Sequence, residues 1–583
     1  MNVKGSHTSS ARATRAAARR IELDRRFPVW EPQSIPARFE QAVRAYPDAP
    51  LVINETATSS YARIDAWSRS LASGLVASGV QPGDKVALMM ANYVEFVAVK
   101  LAILRAGAVT IPVNFYLRGE ELSYVLGQSD ATVLITMDYY RGHDYLADLD
   151  SFAPGWQQGA TAKLPMLRHA FGFAPSGELR AGVRSLEHLQ ACATAASDAE
   201  LAARAPRIGA LDVCDILYTS GTTGRPKGVM LTHDMILRAA YASVYTRGFE
   251  DGWRIAHALP MYHVFGYIEC LIAVMYVGGC VIPQAIFNAE ALIDMTERHR
   301  ANDLIAVPTM TVQMLDIVRK RGFKAGDLVA VFNSGGVNRP QVWSEIRELL
   351  QPLELATGYG MTETTASTVC TLPEGDDSHL QTSNGRLKPA GCAGDPALGG
   401  YTALYKTIDP ETGADLPPGE TGELVVKGPI ITPGYYKKPE ETAACFTPDG
   451  WLKTGDVGRV DAEGYLTLTG RIKESYRCGG EMVIPREIEE LLDQHPKVAQ
   501  ALAVGVPDPK MGEIGCLCIV AKPGEKPDPD ELLALCAAKL ARFKVPRLVL
   551  FFEHSEIPVT ATGRPQKVKL AAIARERLQR NSE

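Results

Sequence analysis

The sequence is poor in the features that would place it in several large protein classes. No apolar run reaches the about eighteen residues that a membrane-crossing helix needs; the strongest, "CLIAVMYVGGCVIP" (Cys270 to Pro283), is interrupted by a glycine pair. There is no basic excess: the net charge is −6 and the pI is near 6.1, which argues against nucleic acid as the main partner. Eleven cysteines are scattered along the chain without paired metal-type spacing. Cys516 and Cys518 fall on one face of an apolar strand and read as buried thiols, the usage of a reducing compartment. An apolar signal core is also missing from the first residues, "MNVKGSHTSSARATRAAARRIELDRRF", so they do not read as a secretory leader. Residues 1–26 are instead expected to form a basic, disordered or loosely helical arm, with a transit-like peptide or a surface helix as the alternatives, and the protein is expected to be cytoplasmic.

What is present is an ordinary globular composition, 46% hydrophobic and 22% charged over 583 residues. That length exceeds what one hydrophobic core supports, so at least two domains are expected. Ile64, Trp67, Leu71 and Leu75 share a helical face. "KVALMM" from Lys85 reads as a buried strand, "EFVAVKLAILRAG" as a helix, and "AVTIPV" from Ala108 as the next strand. Strand, helix, strand at this spacing is a parallel crossover unit. Similar runs recur at Ala131, Cys214, Gly278, Asp303 and Leu328, so the fold class is α/β, a large body of doubly wound, mostly parallel sheets. Near residue 400 the texture turns to short strands with frequent Gly and Pro. From Ser475 a small α+β pattern follows. The expected domains are 27–470 and 471–583, with the boundary in "GRIKES", Gly470 to Ser475.

One stretch carries most of the chemistry. In "YTSGTTGRPKGVMLTH" (Tyr218 to His233) small hydroxylated residues and glycines follow a strand. Backbone N–H groups and hydroxyls in such a loop can cradle phosphate oxygens, and Lys227 adds positive charge. The Walker A spacing is absent. An ordinary Ser/Thr/Gly turn is the plain alternative.

"YTSGTTGRPKGV" resembles the signature of the adenylate-forming superfamily, which includes acyl- and aryl-CoA synthetases, peptide-synthetase adenylation domains and beetle luciferases. Further segments resemble the same family in the same order. "FNSGGVN" (Phe332 to Asn338) is similar to a glycine-rich strand end, "YGMTE" (Tyr359 to Glu363) to the adenine and magnesium segment, and "GWLKTGDVGRVDAEGYLTLTGR" (Gly450 to Arg471) to the ribose segment. The resemblance implies ATP or acyl-AMP binding by Thr219, Ser220, Gly221, Thr222, Thr223, Gly224, Gly335, Gly336 and Thr357 to Thr362, that is Thr357, Gly358, Tyr359, Gly360, Met361 and Thr362. Tyr359 would stack on adenine and Thr362 contact the α-phosphate. Glu363 would hold Mg²⁺, Asp456 would take the ribose hydroxyls, and Arg471 would support the same sugar. The logic is physical: an anionic acid must meet an anionic triphosphate, so metal and cations are needed.

The acceptor is read in the same way. "YHVFGY" (Tyr262 to Tyr267) resembles the segment in which CoA synthetases carry a gate, with His263 at the gate position beside Val264 and Phe265; a structural histidine is the alternative. "CGGEMVIPREIE" resembles the element in which Gly479, followed by Gly480, lets pantetheine pass close to the backbone. Lys473 occupies the hinge position of the family. The acyl pocket is expected from Tyr262 to Cys270, Val307 to Met310, Ser334 to Val337 and Gly358 to Thr364, mostly apolar, small or aromatic. Fatty, aromatic and alicyclic acids all suit it. No Asp lies between Leu259 and Gly278 to pair a substrate ammonium, although Glu269 keeps that option open.

The C-terminal loop departs from the family. "PVTATGRPQK" places Arg564 where the adenylating lysine is expected, and arginine's planar fork is a poor substitute for a compact ammonium. Lys567 could stand in, or adenylation could be weak or lost while acyl-AMP and coenzyme A are still converted to the thioester, with a separate adenylating enzyme as partner. A complete ATP-dependent synthetase, a ligase loading a carrier-protein thiol, a non-catalytic nucleotide-binding protein and a luciferase-like oxidation are the alternatives. A homodimer is compatible with the sequence.

Overall fold

The structure is a computed structural model that describes residues 9–580 apart from 56, 176, 220–224, 325, 337–339 and 560–564. Compactness divides the chain into two units, residues 1–404 with 427–446 and residues 405–426 with 447–583.

The first unit carries the α/β body expected from the sequence, built among the described residues on two large sheets. The strand order of the seven-stranded sheet is Glu354–Ala356, Ala330–Asn333, Asp303–Ala306, Arg254–His257, Cys280–Pro283, Pro50–Ile53 and Thr58–Ser60. All of its pairings are parallel except the last. The six-stranded sheet is centred on Lys85–Met89, flanked by Val109–Pro112 and Ala131–Met137 in parallel. Strands buried on both faces have to be apolar throughout, which is why "ATVLITM" is buried at every position.

Parallel strands entered from one end leave all their carboxyl ends on the other. In the larger sheet His257 and Ile305 are register partners, as are Ala306 and Asn333, and Phe332 and Ala356. The segments Leu259–His263, Val307–Met310, Ser334–Gly336 and Thr357–Tyr359 therefore leave four adjacent strands at one edge, the place where such sheets bind ligands. The amino ends hold buried ion pairs instead. Asp303 is 0% exposed and Arg247 2% exposed; they form an ion pair, and Trp253 Nε1 donates to the same carboxylate at 3.0 Å.

Of the forms expected for the basic arm, a helix is present from Ser9 onward, over Ser9–Arg26. It docks because Ala16, Arg19 and Leu23, three positions on one helical face, are all buried. Arg19 Nη2 lies 2.5 Å from Glu354 Oε1 at the start of its strand. Arg20 is paired with Glu374, and Arg26 Nη1 sits 2.5 Å from Asp251. Residues 1–8 lie outside the described residues.

The second unit takes in chain on both sides of Gly470–Ser475. Leu404–Ile408, Gly422–Lys427, Leu452–Val460 and Leu466–Arg471 form a four-stranded sheet, most of which is compact with the C-terminal α+β part. Arg486 Nη1 donates to the Leu468 carbonyl at 2.5 Å and Arg477 Nη2 to Glu411 at 2.5 Å. These ties cross Gly470–Ser475, so that stretch is internal to one unit. The C-terminal part pairs Val498–Asp508 with Gly512–Ala521 over a long antiparallel ladder. Helices Pro485–Leu492, Pro529–Lys539 and Lys567–Arg580 contribute Leu492, Leu532 and Leu570 to its core. Among the described residues no helix is long and apolar enough to cross a membrane.

The docked N-terminal helix gives the first expected outcome. Arg19→Ala leaves the Glu354 carboxylate buried without its partner, and breaking such a pair costs on the order of 3 kcal/mol. Urea denaturation should show the loss.

Candidate active site

Thr219 ends the strand Val213–Thr219 and Lys227 starts Lys227–Thr232; the two residues are direct cross-strand partners. Between them, Ser220, Gly221, Thr222, Thr223 and Gly224 lie outside the described residues. The Lys227 ammonium stands 4.8 Å from the centroid of the Tyr435 ring, and the Tyr435 hydroxyl donates to Glu363 Oε1 at 3.0 Å. Burial, with Glu363 nearby, pushes the phenol's pKa up, which keeps it a donor. A lysine from the phosphate-type loop and the candidate metal carboxylate are thus joined through one aromatic side chain.

Tyr435 comes from "ITPGYYKK", a segment the sequence analysis passed over. It is held by Thr432 N–H on the Glu363 carbonyl at 2.8 Å, by Thr432 Oγ1 on the Met230 carbonyl at 2.7 Å, and by Tyr436 N–H on the Gly228 carbonyl at 2.8 Å. The signal available in the sequence was a Pro-Gly turn followed by two tyrosines.

Tyr359, Thr362 and Glu363 are each 7% exposed and sit on one hairpin. Strand Gly358–Gly360 pairs antiparallel with Ser367–Cys370, and a short 3₁₀ turn, Thr362–Thr364, joins them after Met361. Thr365 has φ = 67°, a left-handed conformation that is costly for a β-branched residue and found where structure over-determines it. Its hydroxyl bonds the Ile430 carbonyl at 2.6 Å. Ser334 Oγ donates to the Gly358 carbonyl at 2.7 Å, which ties Ser334–Gly336 to this hairpin. A Cβ on Gly335 would stand 3.2 Å from Val307, and one on Gly336 3.2 Å from Pro308, so these glycines keep the backbone against the Val307–Met310 segment. Thr357 N–H is bonded by Thr371 Oγ1 at 2.9 Å. Val337 lies outside the described residues.

His263 caps the short helix Val264–Gly266, its Nδ1 accepting from Phe265 N–H at 3.2 Å. Burial holds its imidazole down at about 4, so it is neutral and an acceptor at physiological pH. Phe265 meets Phe332 edge to face at 5.5 Å. Glu269 is engaged by Lys388 at 2.9 Å, both fully buried, so it is not placed to pair a substrate ammonium.

In the second unit Asp456 and Arg471 are register partners in their ladder, with Arg471 Nε 2.6 Å from Asp456 Oδ1. Lys473 is exposed in the turn that follows. Gly479 (φ = 63°) and Gly480 (φ = 90°) form the two-residue turn between Tyr476–Cys478 and Glu481–Val483, which demands left-handed backbone at both positions. Lys567 opens the helix Lys567–Arg580, with its ammonium 2.7 Å from Glu489 Oε2 and 3.7 Å from Glu474 Oε2. Arg564 lies outside the described residues.

Residues 39–436 match the AMP-binding enzyme family, and residues 487–564 match the AMP-binding enzyme C-terminal domain. The chain belongs to the AMP-binding, adenylate-forming enzymes. It is 32% identical to a 3-[(3aS,4S,7aS)-7a-methyl-1,5-dioxo-octahydro-1H-inden-4-yl]propanoyl:CoA ligase of Mycobacterium tuberculosis, over 93% of this chain and 99% of that protein. It is also 32% identical to a feruloyl-CoA synthase of an Amycolatopsis species, over 89% of this chain and 95% of that protein. The crystal structure of ATP-bound MatB from Rhodopseudomonas palustris superposes with a TM-score of 0.80 at 28% identity, covering 93% of this chain and 99% of that one. This AMP-binding enzyme is accordingly an AMP-forming acid–thiol ligase by family, and ATP or an acyl-AMP is its nucleotide.

Two outcomes follow from the geometry. Tyr435→Phe removes the bond that orients Glu363; a hydrogen bond to a charged group is worth about 1.5–3 kcal/mol, so thioester formation from acid and ATP should fall about tenfold with the fold intact by circular dichroism. The second concerns pH. His233, His257 and His263 are held down by burial at about 3, 4 and 4, against about 6.5 when unfolded. Between those values the unfolded chain binds more protons, so stability rises with pH across that window. The Tm should hold above pH 7 and fall as the pH drops from about 6.5 towards 4, and His257→Gln should flatten part of the slope.

Proposed function

We propose that this enzyme joins an apolar carboxylic acid lacking an amino group to coenzyme A through an acyl-adenylate, and that it performs the second half-reaction better than the first. Family membership supports the overall ligase reaction, and the pocket segments supply apolar, small and aromatic side chains.

Lys227 and the 219–224 loop meet the anionic triphosphate, and Thr362 faces the α-phosphate. Glu363, oriented by Tyr435, would hold Mg²⁺. The donor set fits: Glu363 supplies one carboxylate, held by Tyr435, and Mg²⁺ is commonly held by one or two carboxylates with phosphates supplying the rest. When bound, the ion neutralises phosphate charge. An oxygen of the substrate carboxylate attacks the α-phosphorus, the bond to the bridging oxygen breaks, and pyrophosphate leaves with the electron pair. The coenzyme A sulfur then attacks the acyl carbonyl, the acyl–oxygen bond breaks, and AMP departs. Asp456 and Arg471 are assigned to the ribose, His263 and Phe265 to the passage between acid and thiol, Gly479 and Gly480 to the pantetheine arm, and Lys473 to the hinge.

The observation that carries the imbalance between the half-reactions is Lys567. Its ammonium is committed to Glu489 and Glu474, so using it in adenylation would abandon a mostly buried carboxylate pair. That leaves the work to Arg564, whose planar fork does not reproduce a compact ammonium between two oxyanions. A separate adenylating enzyme that supplies acyl-AMP is the partner this reading implies.

The test separates the two halves. Pyrophosphate release is followed with ATP, Mg²⁺ and a panel of apolar acids; thioester is followed by mass with synthetic acyl-adenylates and coenzyme A. The expected result is slow release in the first assay and rapid thioester in the second, with Arg564→Lys raising the first by about 10²-fold and leaving the second within about twofold. Equal wild-type rates in both assays would overturn the imbalance, and no pyrophosphate in the first with no thioester in the second would overturn the ligase reading.

A further inference from the structure

One fully buried charge in the first unit is unused by the reaction above. Glu269 lies in a π-helical turn, Tyr267–Ile272, directly after the His263 helix, a rare conformation that recurs at functional sites. Its Oε1 accepts from Lys388 Nζ at 2.9 Å, from Ser367 N–H at 3.1 Å and from the Ser367 hydroxyl. Lys388 Nζ also donates at 2.7 Å to Ser243 Oγ, in the helix His233–Arg247 that follows the Lys227 strand. Burial raises the carboxyl's pKa, but Lys388, Ser367, Ser243 and Arg247 outweigh it and hold the group below its ordinary value. The carboxylate is therefore ionised inside the protein.

Stability alone does not account for such a pair. The cost of desolvating two ions roughly cancels their attraction, and well-packed apolar replacements are often as stable or more so. What the pair does supply is a fixed direction. Ser367 is the register partner of Gly360, and the only residues between them are Met361 to Ala366, which contain the Thr362–Thr364 turn and the strained Thr365. A Cβ on Gly360 would fall 1.9 Å from the Ala366 carbonyl oxygen, so the two strands touch without slack. Lys388 N–H is bonded to the Thr368 carbonyl at 3.1 Å, which secures the next strand to the same point. Moving Ser367 therefore moves Thr362 and Glu363.

We infer that Glu269, paired with Lys388, is a positioning residue that fixes the Tyr359–Glu363 hairpin against the acyl-side helix through Ser367; this rests on the ligase reading proposed above. The residue that could have recognised a substrate ammonium is thereby turned into a strut between the acid and nucleotide sides of one site.

The test uses the full-length protein with Glu269→Leu/Lys388→Met, which removes both charges and keeps their volume, and the pair Ser367→Ala and Ser367→Thr. Rates are measured with acid plus ATP and with synthetic acyl-adenylate plus coenzyme A, and hydrogen exchange is read at the amides of residues 358–367. The double variant should unfold cooperatively at a Tm close to wild type, yet lose about tenfold or more in kcat with KM for acid and ATP within about twofold, and exchange faster over 358–367. Ser367→Ala should reproduce part of that loss, and Ser367→Thr, which keeps the hydroxyl, should restore it. A folded double variant with wild-type kcat and wild-type exchange overturns the inference. If the double variant fails to fold, Ser367→Ala with wild-type kcat and exchange overturns it instead. If the wild type makes no thioester in either assay, the ligase reading falls, and the exchange pattern at 358–367 still decides whether Glu269 positions the hairpin.

Discussion

Four neighbouring strands, Arg254–His257, Asp303–Ala306, Ala330–Asn333 and Glu354–Ala356, run in one direction, and most of the first unit's site depends on that alignment. A parallel register brings every chain exit to one edge, so segments distant in sequence become neighbours without contacts of their own. The opposite edge is free for stability, and there the strands begin at Asp303 and Glu354, each buried against an arginine. The division explains why an arginine-rich N-terminal helix is held to the body. It closes the amino end of a sheet whose carboxyl end must stay open to ligands.

The exits alone would be loose, and charge is what holds them. Adenylate formation draws anions together, so the site needs cations that are held without being neutralised. Lys227 over the face of Tyr435 shows one such arrangement: the ring quadrupole steadies the ammonium without cancelling its charge, as a carboxylate partner would. Glu269 illustrates the reverse case. Its Oε1 is paired with Lys388 and bonded by Ser367. The surroundings of these two lysines and two glutamates thus differ: Lys227 and Glu363 share Tyr435, while Lys388 and Glu269 pair with each other.

Much of this could be read from the sequence because it follows local rules. Apolar runs such as "ATVLIT" and "DLIAV" are strands; the hairpin turn at Gly479 and Gly480, with positive φ at both, was not read from "CGG". What escaped depends on distant pairing. Tyr435 reaches Lys227 because residues 432–436 return about two hundred positions later to lie beside Lys227–Thr232, and no periodicity announces that. The N-terminal helix was obscured because its buried face consists of Ala16, Arg19 and Leu23; a buried arginine reads as surface until Glu354 is beside it. Strand composition does not reveal that Arg477, on a strand, and Arg486, on a helix, both bond back to the β-rich sheet and its loops.

The two cations of "TATGRPQK" show how far residue type can mislead. By charge and spacing, Lys567 looked like the replacement for a missing lysine. Its surroundings assign it otherwise: Glu489 is buried, carries a backbone bond from Ala503 N–H at 2.8 Å, and has its pKa raised by burial against the opposing pull of Lys567. Withdrawing the ammonium would leave that carboxylate to take up a proton or to remain charged in an apolar core, and either carries a cost. A side chain whose absence is so expensive belongs to the scaffold. Under the function proposed above, the adenylating role falls to Arg564, and the rate of the first half-reaction measures how well a guanidinium can do what an ammonium does.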